Sequence, residues 1–145
     1  MRVCELLRVS KRPLFHIGNG ARHAIKEFFE FIECHSIPFV TARNGNDLTG
    51  SDHPLYIGRP GTFGQRGANF AVQLADLYVA IGTRLSLTQT GYNTQDYARS
   101  AQIVQVDIDQ KELDKGTLRN PIKLCMDAKD FIKELSEDGI PVNAW

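Results

Sequence analysis

The chain has 145 residues, 42% of them hydrophobic and 23% charged, and its seventeen basic residues balance seventeen acidic ones. That is enough chain for one globular domain with its own core, and the balance argues against the broad basic footprint that nucleic acid or an anionic membrane requires. No apolar run is long enough to cross a bilayer, and the N-terminal MRVCELLRVSKRP contains no signal-peptide core; the expectation is a cytoplasmic protein with neither nucleic acid nor membrane as partner.

Val3 to Ser10 reads as a short amphipathic helix with Val3, Leu6 and Leu7 on one side, broken at Lys11-Arg12-Pro13. Leu14 to Ile17 is a short apolar strand closing on Gly18-Asn19-Gly20. Ala21 to His35 follows as a helix with Ile25, Phe28, Phe29 and Ile32 at core spacing, so Phe28, Phe29 and Phe31 are packing residues rather than an aromatic platform. Ile37 to Thr41 is a second strand, with Pro38 tolerated at its start. Arg43 to Pro54 is polar, broken at Asn44-Gly45 and Thr49-Gly50, and is expected to wander over the surface.

Gly58, Gly61 and Gly64, with Pro60, form a loop whose backbone can approach a ligand closely. Exposed N–H groups there, feeding a helix from Gln65 to Leu74, suit phosphate or another anion. Leu77 to Ile81 is an apolar strand ending at Gly82. The polar segment Ser86 to Ser100 is expected to cover a ligand cleft or a partner. Gln102 to Asp107 is the next strand, and Asp109, with Glu112 three residues on, has the form of a helix start. Ile122 to Cys125 is a last short strand. Asp127 caps a helix from Ala128 to Ser136 that turns Phe131, Ile132 and Leu135 inward; Gly139 and Pro141 end it. Residues 1–138 form the domain in this reading, and 139–145 begin a linker.

Nearly all-apolar strands alternating with helices imply a parallel sheet covered on both faces. In such sheets ligands bind beyond the carboxyl ends of the strands. Those ends carry Gly18-Asn19-Gly20, Thr41, Gly82-Thr83-Arg84, Asp107-Ile108-Asp109 and Asp127. Glycines, hydroxyls and carboxylates thus stand where a dinucleotide would sit.

The individual motifs divide between functional and plain readings. GNGARH, from Gly18 to His23, resembles a phosphate turn, but His23 replaces the third glycine of G-x-G-x-x-G, and turn chemistry alone also accounts for it. Asp107 and Asp109 could share acid–base or metal work; the plainer assignment gives Asp107 a ribose hydroxyl and Asp109 a helix cap. Arg84 could grip a phosphate or a flavin carbonyl, or form a surface salt bridge, while Arg22, Arg43, Arg59 and Arg66 read as scattered and solvated. Cys4, Cys34 and Cys125 read as small buried apolar residues. No P-loop, no metal-spaced histidines and no Ser/His/Asp set occur, so no catalytic or metal-ligating residue is assigned.

KRP-LFHIGNGA, IPFVT, DHPLYIGRPGTFG, AN-FAVQLADLYVAIGTR, IVQVDID and a closing strand–Asp–Ala–Lys occur in that order. With them the chain, from about Val3 to Leu135, resembles the central domain of thiamine-diphosphate-dependent enzymes, and above all that of acetolactate synthase large subunits. The resemblance implies a three-layer Rossmann-like α/β domain with a parallel sheet of about six strands, similar to the DHS-like NAD/FAD-binding fold. It implies FAD, ADP or nothing in the domain's cleft. In the parent enzyme, thiamine diphosphate and Mg²⁺ are held by an N-terminal pyrimidine-binding and a C-terminal diphosphate-binding domain. A homodimeric or homotetrameric parent that decarboxylates a 2-keto acid and transfers the product follows, and the isolated domain would be inactive. A stand-alone nucleotide-binding module and a ligand-free structural spacer are the alternatives.

Carried over residue by residue, the resemblance implies cofactor contacts at Gly18, Gly20, Thr41, Thr62, Phe63, Gly82, Arg84, Asp107, Ile108, Asp127 and the adjoining Ala128. Two positions depart from the pattern. Phe63 stands where the family's G-M-H-G loop has histidine, and Thr88 where a second flavin-gripping arginine is expected.

Overall fold

The computed structural model describes residues 2–140. Six strands form one sheet: β1 (Pro13–Ile17), β2 (Phe39–Thr41), β3 (Tyr56–Gly58), β4 (Leu77–Ile81), β5 (Gln102–Asp107) and β6 (Ile122–Cys125). The helices are α1 (Arg2–Val9), α2 (Ile25–His35), α3 (Arg66–Leu74), the single turns α4 (Leu87–Thr90) and α5 (Gln110–Leu113), and α6 (Ala128–Glu137). Strand order is β3-β2-β1-β4-β5-β6 and every neighbouring pair is parallel. Chain direction across the sheet therefore reverses between β1 and β4, where an open α/β sheet leaves a crevice.

The expected α/β class, the three layers and the parallel sheet are all present. All five residues of β1 and of β4 are buried, as the middle of a doubly covered sheet requires. On one face Phe15, Phe39, Val79 and Val104 pack against Val3 and Leu7 of α1, Phe28 and Ile32 of α2, and Phe131 and Leu135 of α6. On the other, Leu14, Val40, Tyr78 and Ile103 meet Ala68 and Val72 of α3 and Tyr97 and Ala98 of the chain after α4. No helix among the described residues is long and apolar enough to cross a membrane.

Several local expectations are corrected. The strand β3 arises in a segment whose apolar run is too short to announce itself, and it joins β2 through an irregular register. The turn after Gly18 is a 3-10 helix, Asn19–Ala24, and α2 begins only at Ile25. Within α2 the core positions are Phe28, Phe31 and Ile32, while Ile25 and Phe29 pack at the margin. In α1 Cys4 is buried and Leu6 is only partly so. Cys34 and Cys125 are exposed, contrary to their reading as core residues. The 43–54 stretch lies mostly at the surface, as expected, but is anchored by the buried Gly45 and Leu48. The polar 86–100 segment, expected to cover a cleft or a partner, also turns Gln89, Tyr97 and Ala98 inward. Ile140 packs into the core beyond α6, and the tail from Pro141 to Trp145 lies outside the described residues.

One carboxylate ties the amino ends of the two central strands together. Asp76, just before β4, accepts hydrogen bonds from the Ser10 hydroxyl and from the amides of Lys11 (2.8 Å) and Arg12 (3.0 Å), just before β1. Burial alone would raise its carboxyl; these bonds bring it below its ordinary value.

Candidate functional site

At the opposite, carboxyl ends of the strands, the chain leaving β1 crosses the chain leaving β4 almost without clearance. The Gly18 amide donates to the Ile81 carbonyl (2.9 Å) and the Gly20 amide to the Gly82 carbonyl (3.0 Å). A Cβ on Gly18 would run into the Gly82 carbonyl, and Gly82 itself turns at φ 58°, in the left-handed region. These glycines are required by the crossing, whether or not a ligand sits above it. Above it opens a groove of about 1080 Å³, floored by Asn19, Gly20, Gly82 and Thr83.

One end of the groove is built by β5 and α5. Asp109 caps α5, accepting from the Lys111 amide (2.9 Å). Asp107 accepts from the Asp109 amide through one oxygen (2.9 Å). Arg84 reaches across from β4 and donates through Nε (3.1 Å) and Nη2 (3.0 Å) to Oε1 of Glu112, whose other oxygen takes Lys115. The Lys115 bond, joined by Arg84, holds the Glu112 carboxyl below its usual range. The salt-bridge reading of Arg84 is thus realised, with the guanidinium still 76% exposed on the groove wall.

The other end is the glycine loop. Gly61 adopts φ 127°, and a Cβ there would come within 2.7 Å of the Thr88 carbonyl, so the loop is pressed against α4. Most of its amides are already bonded. Arg59 N–H donates to the Gln65 side chain (2.8 Å), Gly61 to Asn69 (2.7 Å), Thr62 to the Thr88 carbonyl (2.8 Å), Gly64 to Gly61 (3.0 Å) and Gln65 to Arg59 (2.7 Å). The expectation that free N–H groups here cradle an anion is therefore narrowed: Gln65 at the start of α3 takes the Arg59 amide and Asn69 of α3 takes that of Gly61. A pocket of about 170 Å³ remains beside the loop, lined by Arg43, Arg59, Phe63 and Gln89 among others. It shares Arg43, Thr88 and Gln89 with the larger groove, so the two are continuous.

Beneath Gln89 runs a buried polar chain through the sheet's second face. Gln89 Nε2 meets His16 Nε2 (3.3 Å), His16 Nδ1 bonds the Tyr78 hydroxyl, and Tyr78 bonds Tyr97 (2.8 Å). His16 is fully buried, and burial pushes its pKa down to about 3. The neutral ring has one donor and one acceptor, so the pattern assigns the proton to Nδ1, with Nε2 accepting from Gln89. Burial likewise pushes both tyrosine hydroxyls well above their ordinary values and keeps them protonated.

Of the residues singled out in the sequence, Gly20, Gly82, Arg84, Asp107 and Ile108 line the groove. Gly18 lies behind its floor. Thr41 is buried, with its hydroxyl bonded to Tyr56 (2.9 Å). Thr62 and Phe63 ride on the loop, Phe63 79% exposed at the rim of the small pocket. Asp127 lies away from the groove: it caps α6 through the Lys129 amide (2.8 Å) and pairs with His23 (2.9 Å), which lowers its carboxyl, while Ala128 is buried. Sequence reasoning passed over Gln89 and the placement of Arg43 and Arg59. Among the described residues Thr83 Oγ1, buried beneath the groove floor, has no hydrogen-bond partner. A lone histidine inside the otherwise apolar PLFHI was the available signal for the polar chain.

The family profile described as thiamine pyrophosphate enzyme, central domain, matches residues 1–135. The chain belongs to that family. It is 35% identical over 136 residues to the acetolactate synthase large subunit of Cyanidium caldarium, covering 90% of this chain and 22% of the relative. To acetolactate synthase 1, chloroplastic, of Zea mays it is 35% identical over 128 residues, covering 88% and 20%. To the isozyme 2 large subunit of Escherichia coli it is 31% identical over 113 residues, covering 77% and 20%. This central domain thus spans about a fifth of the length of these curated relatives.

Proposed function

We propose that this domain serves an acetolactate-synthase-like, thiamine-diphosphate-dependent enzyme that decarboxylates a 2-keto acid and transfers the product to an acceptor. Its own task there is to hold an adenine nucleotide, FAD or ADP, in the groove at the strand ends. Thiamine diphosphate supplies the electron sink for the parent reaction. That cofactor and Mg²⁺ belong to the pyrimidine-binding and diphosphate-binding domains of a homodimeric or homotetrameric parent. Among the described residues no three His, Cys, Asp or Glu side chains converge to hold a metal ion.

The observation that carries the reading is the position of the groove. It lies at the reversal between β1 and β4, where nucleotide ligands of this architecture bind, and it is large enough for a cofactor. The residues fit an adenosine: Asp107 keeps one carboxylate oxygen for a ribose hydroxyl, beside the Gly20 and Gly82 backbone of the floor. Thermal unfolding with FAD and with ADP tests this, because a ligand bound only by the native state raises the midpoint with concentration. A rise with either supports the reading, and no rise with both removes it. The 145-residue chain with thiamine diphosphate and Mg²⁺ should leave pyruvate unconsumed; turnover would contradict the assignment of catalysis to other domains.

A further inference from the structure

The two ends of the groove differ in charge. At the α5 end three carboxylates, Asp107, Asp109 and Glu112, face two cations, Arg84 and Lys115, and Glu112 already holds both. At the loop end two guanidiniums, Arg43 and Arg59, line a small pocket whose wall contains no carboxylate. Among the described residues neither arginine has a carboxylate within 4.0 Å. An anion placed near Arg84 would be repelled by its acidic neighbours and would have to displace Glu112. Placed at the loop end, it would meet two unpaired forks of N–H donors in a partly enclosed site, the setting in which arginine binds oxyanions best.

The backbone competes little for this role, since the Arg59, Gly61, Thr62 and Gly64 amides are already bonded to Gln65, Asn69, Thr88 and Gly61. Gln89 forms the pocket's inner wall and is fixed by His16 and the two tyrosines behind it.

We propose that the loop-end pocket is an oxyanion subsite in which Arg43 and Arg59 bind the phosphate end of a nucleoside diphosphate. Its adenosine then extends along the groove floor toward Asp107. The orientation of the nucleotide rests on the reading above; the anion subsite does not. It favours ADP over FAD, because a dinucleotide in this direction would push an uncharged ring past two arginines.

The test uses the full chain and two probes. Inorganic pyrophosphate, titrated into ¹⁵N-labelled protein, should move the resonances of Arg43, Arg59 and the loop 61–64. Calorimetry should find ADP at least about tenfold tighter than adenosine, the ratio expected of one charge-assisted contact. Arg59→Ala and Arg43→Ala should each lose about that factor for ADP and leave adenosine unchanged, with unaltered circular dichroism confirming the fold. Pyrophosphate shifts at Arg84 and Lys115 instead, or none anywhere, would overturn the subsite. If pyrophosphate binds at the arginines but ADP and adenosine do not bind, the subsite stands and the nucleotide reading falls. Equal affinities for adenosine and ADP would overturn the proposed orientation.

Discussion

The two faces of the sheet are packed in different ways. The face under α1, α2 and α6 is an aromatic and aliphatic core, in which Phe28 touches Phe15, Phe29 and Phe39 at ring separations of 5.5–6.3 Å. The face under α3 mixes alanines with Leu14, Leu85, Ile103 and Leu118 and carries the chain His16–Tyr78–Tyr97 with Gln89 at its head. A parallel sheet needs both faces covered, but only one of them leads to the groove. One face supplies stability; the other gives up some apolar burial to place a fixed amide at the wall of the site.

The largest effect should come from the first face. Phe28→Ala, which empties a fully buried aromatic position, should cost about 3–5 kcal/mol in urea unfolding. A cost under about 1 kcal/mol would mean that this face is loosely packed, and the comparison would fail. On the second face Tyr78→Phe keeps the ring and removes the hydroxyl between His16 and Tyr97. It should cost about 1–3 kcal/mol through the buried donor left unsatisfied. No cost would mean that the polar chain is not formed.

The pH dependence sharpens the same contrast. Burial holds His16 at about 3 in the folded protein, against about 6.5 for the unfolded chain. The unfolded state therefore binds a proton first, and stability falls as pH drops from about 6.5 toward 3. The slope from this one group is at most about 1.4 kcal/mol per pH unit. Unfolding midpoints between pH 7 and 5 for the native chain and for His16→Gln should differ by this loss. Parallel curves would show that His16 is solvated or paired with charge, contrary to the structure.

Five of the six strands and the helices that cover them were legible because each carries a run of apolar residues at its own period. β3 was not legible: Tyr56-Ile57-Gly58 is three residues long, next to a glycine loop, and exists because β2 offers it an edge. The site was legible where it depends on strand ends, at Gly20, Gly82, Arg84 and Asp107. It was not legible where it depends on side chains returning from elsewhere. Gln65 and Asn69 take the Arg59 and Gly61 amides, and Arg43 and Arg59, 16 positions apart by their numbering, line one pocket only after β2 and β3 pair. Cys34 and Cys125 were misread because a cysteine's usual burial says nothing about which face of its own element it occupies.

The central claim is that the groove between the ends of β1 and β4 is a nucleotide site. Its most direct test is a titration of the ¹⁵N-labelled chain with ADP, followed residue by residue. The shifts should run from Asp107 through Gly82 and Gly20 to Arg59 and Gly61, along the groove and nowhere on the α1, α2 and α6 face. Shifts confined to that face, or a spectrum unchanged at saturating ADP, would contradict it.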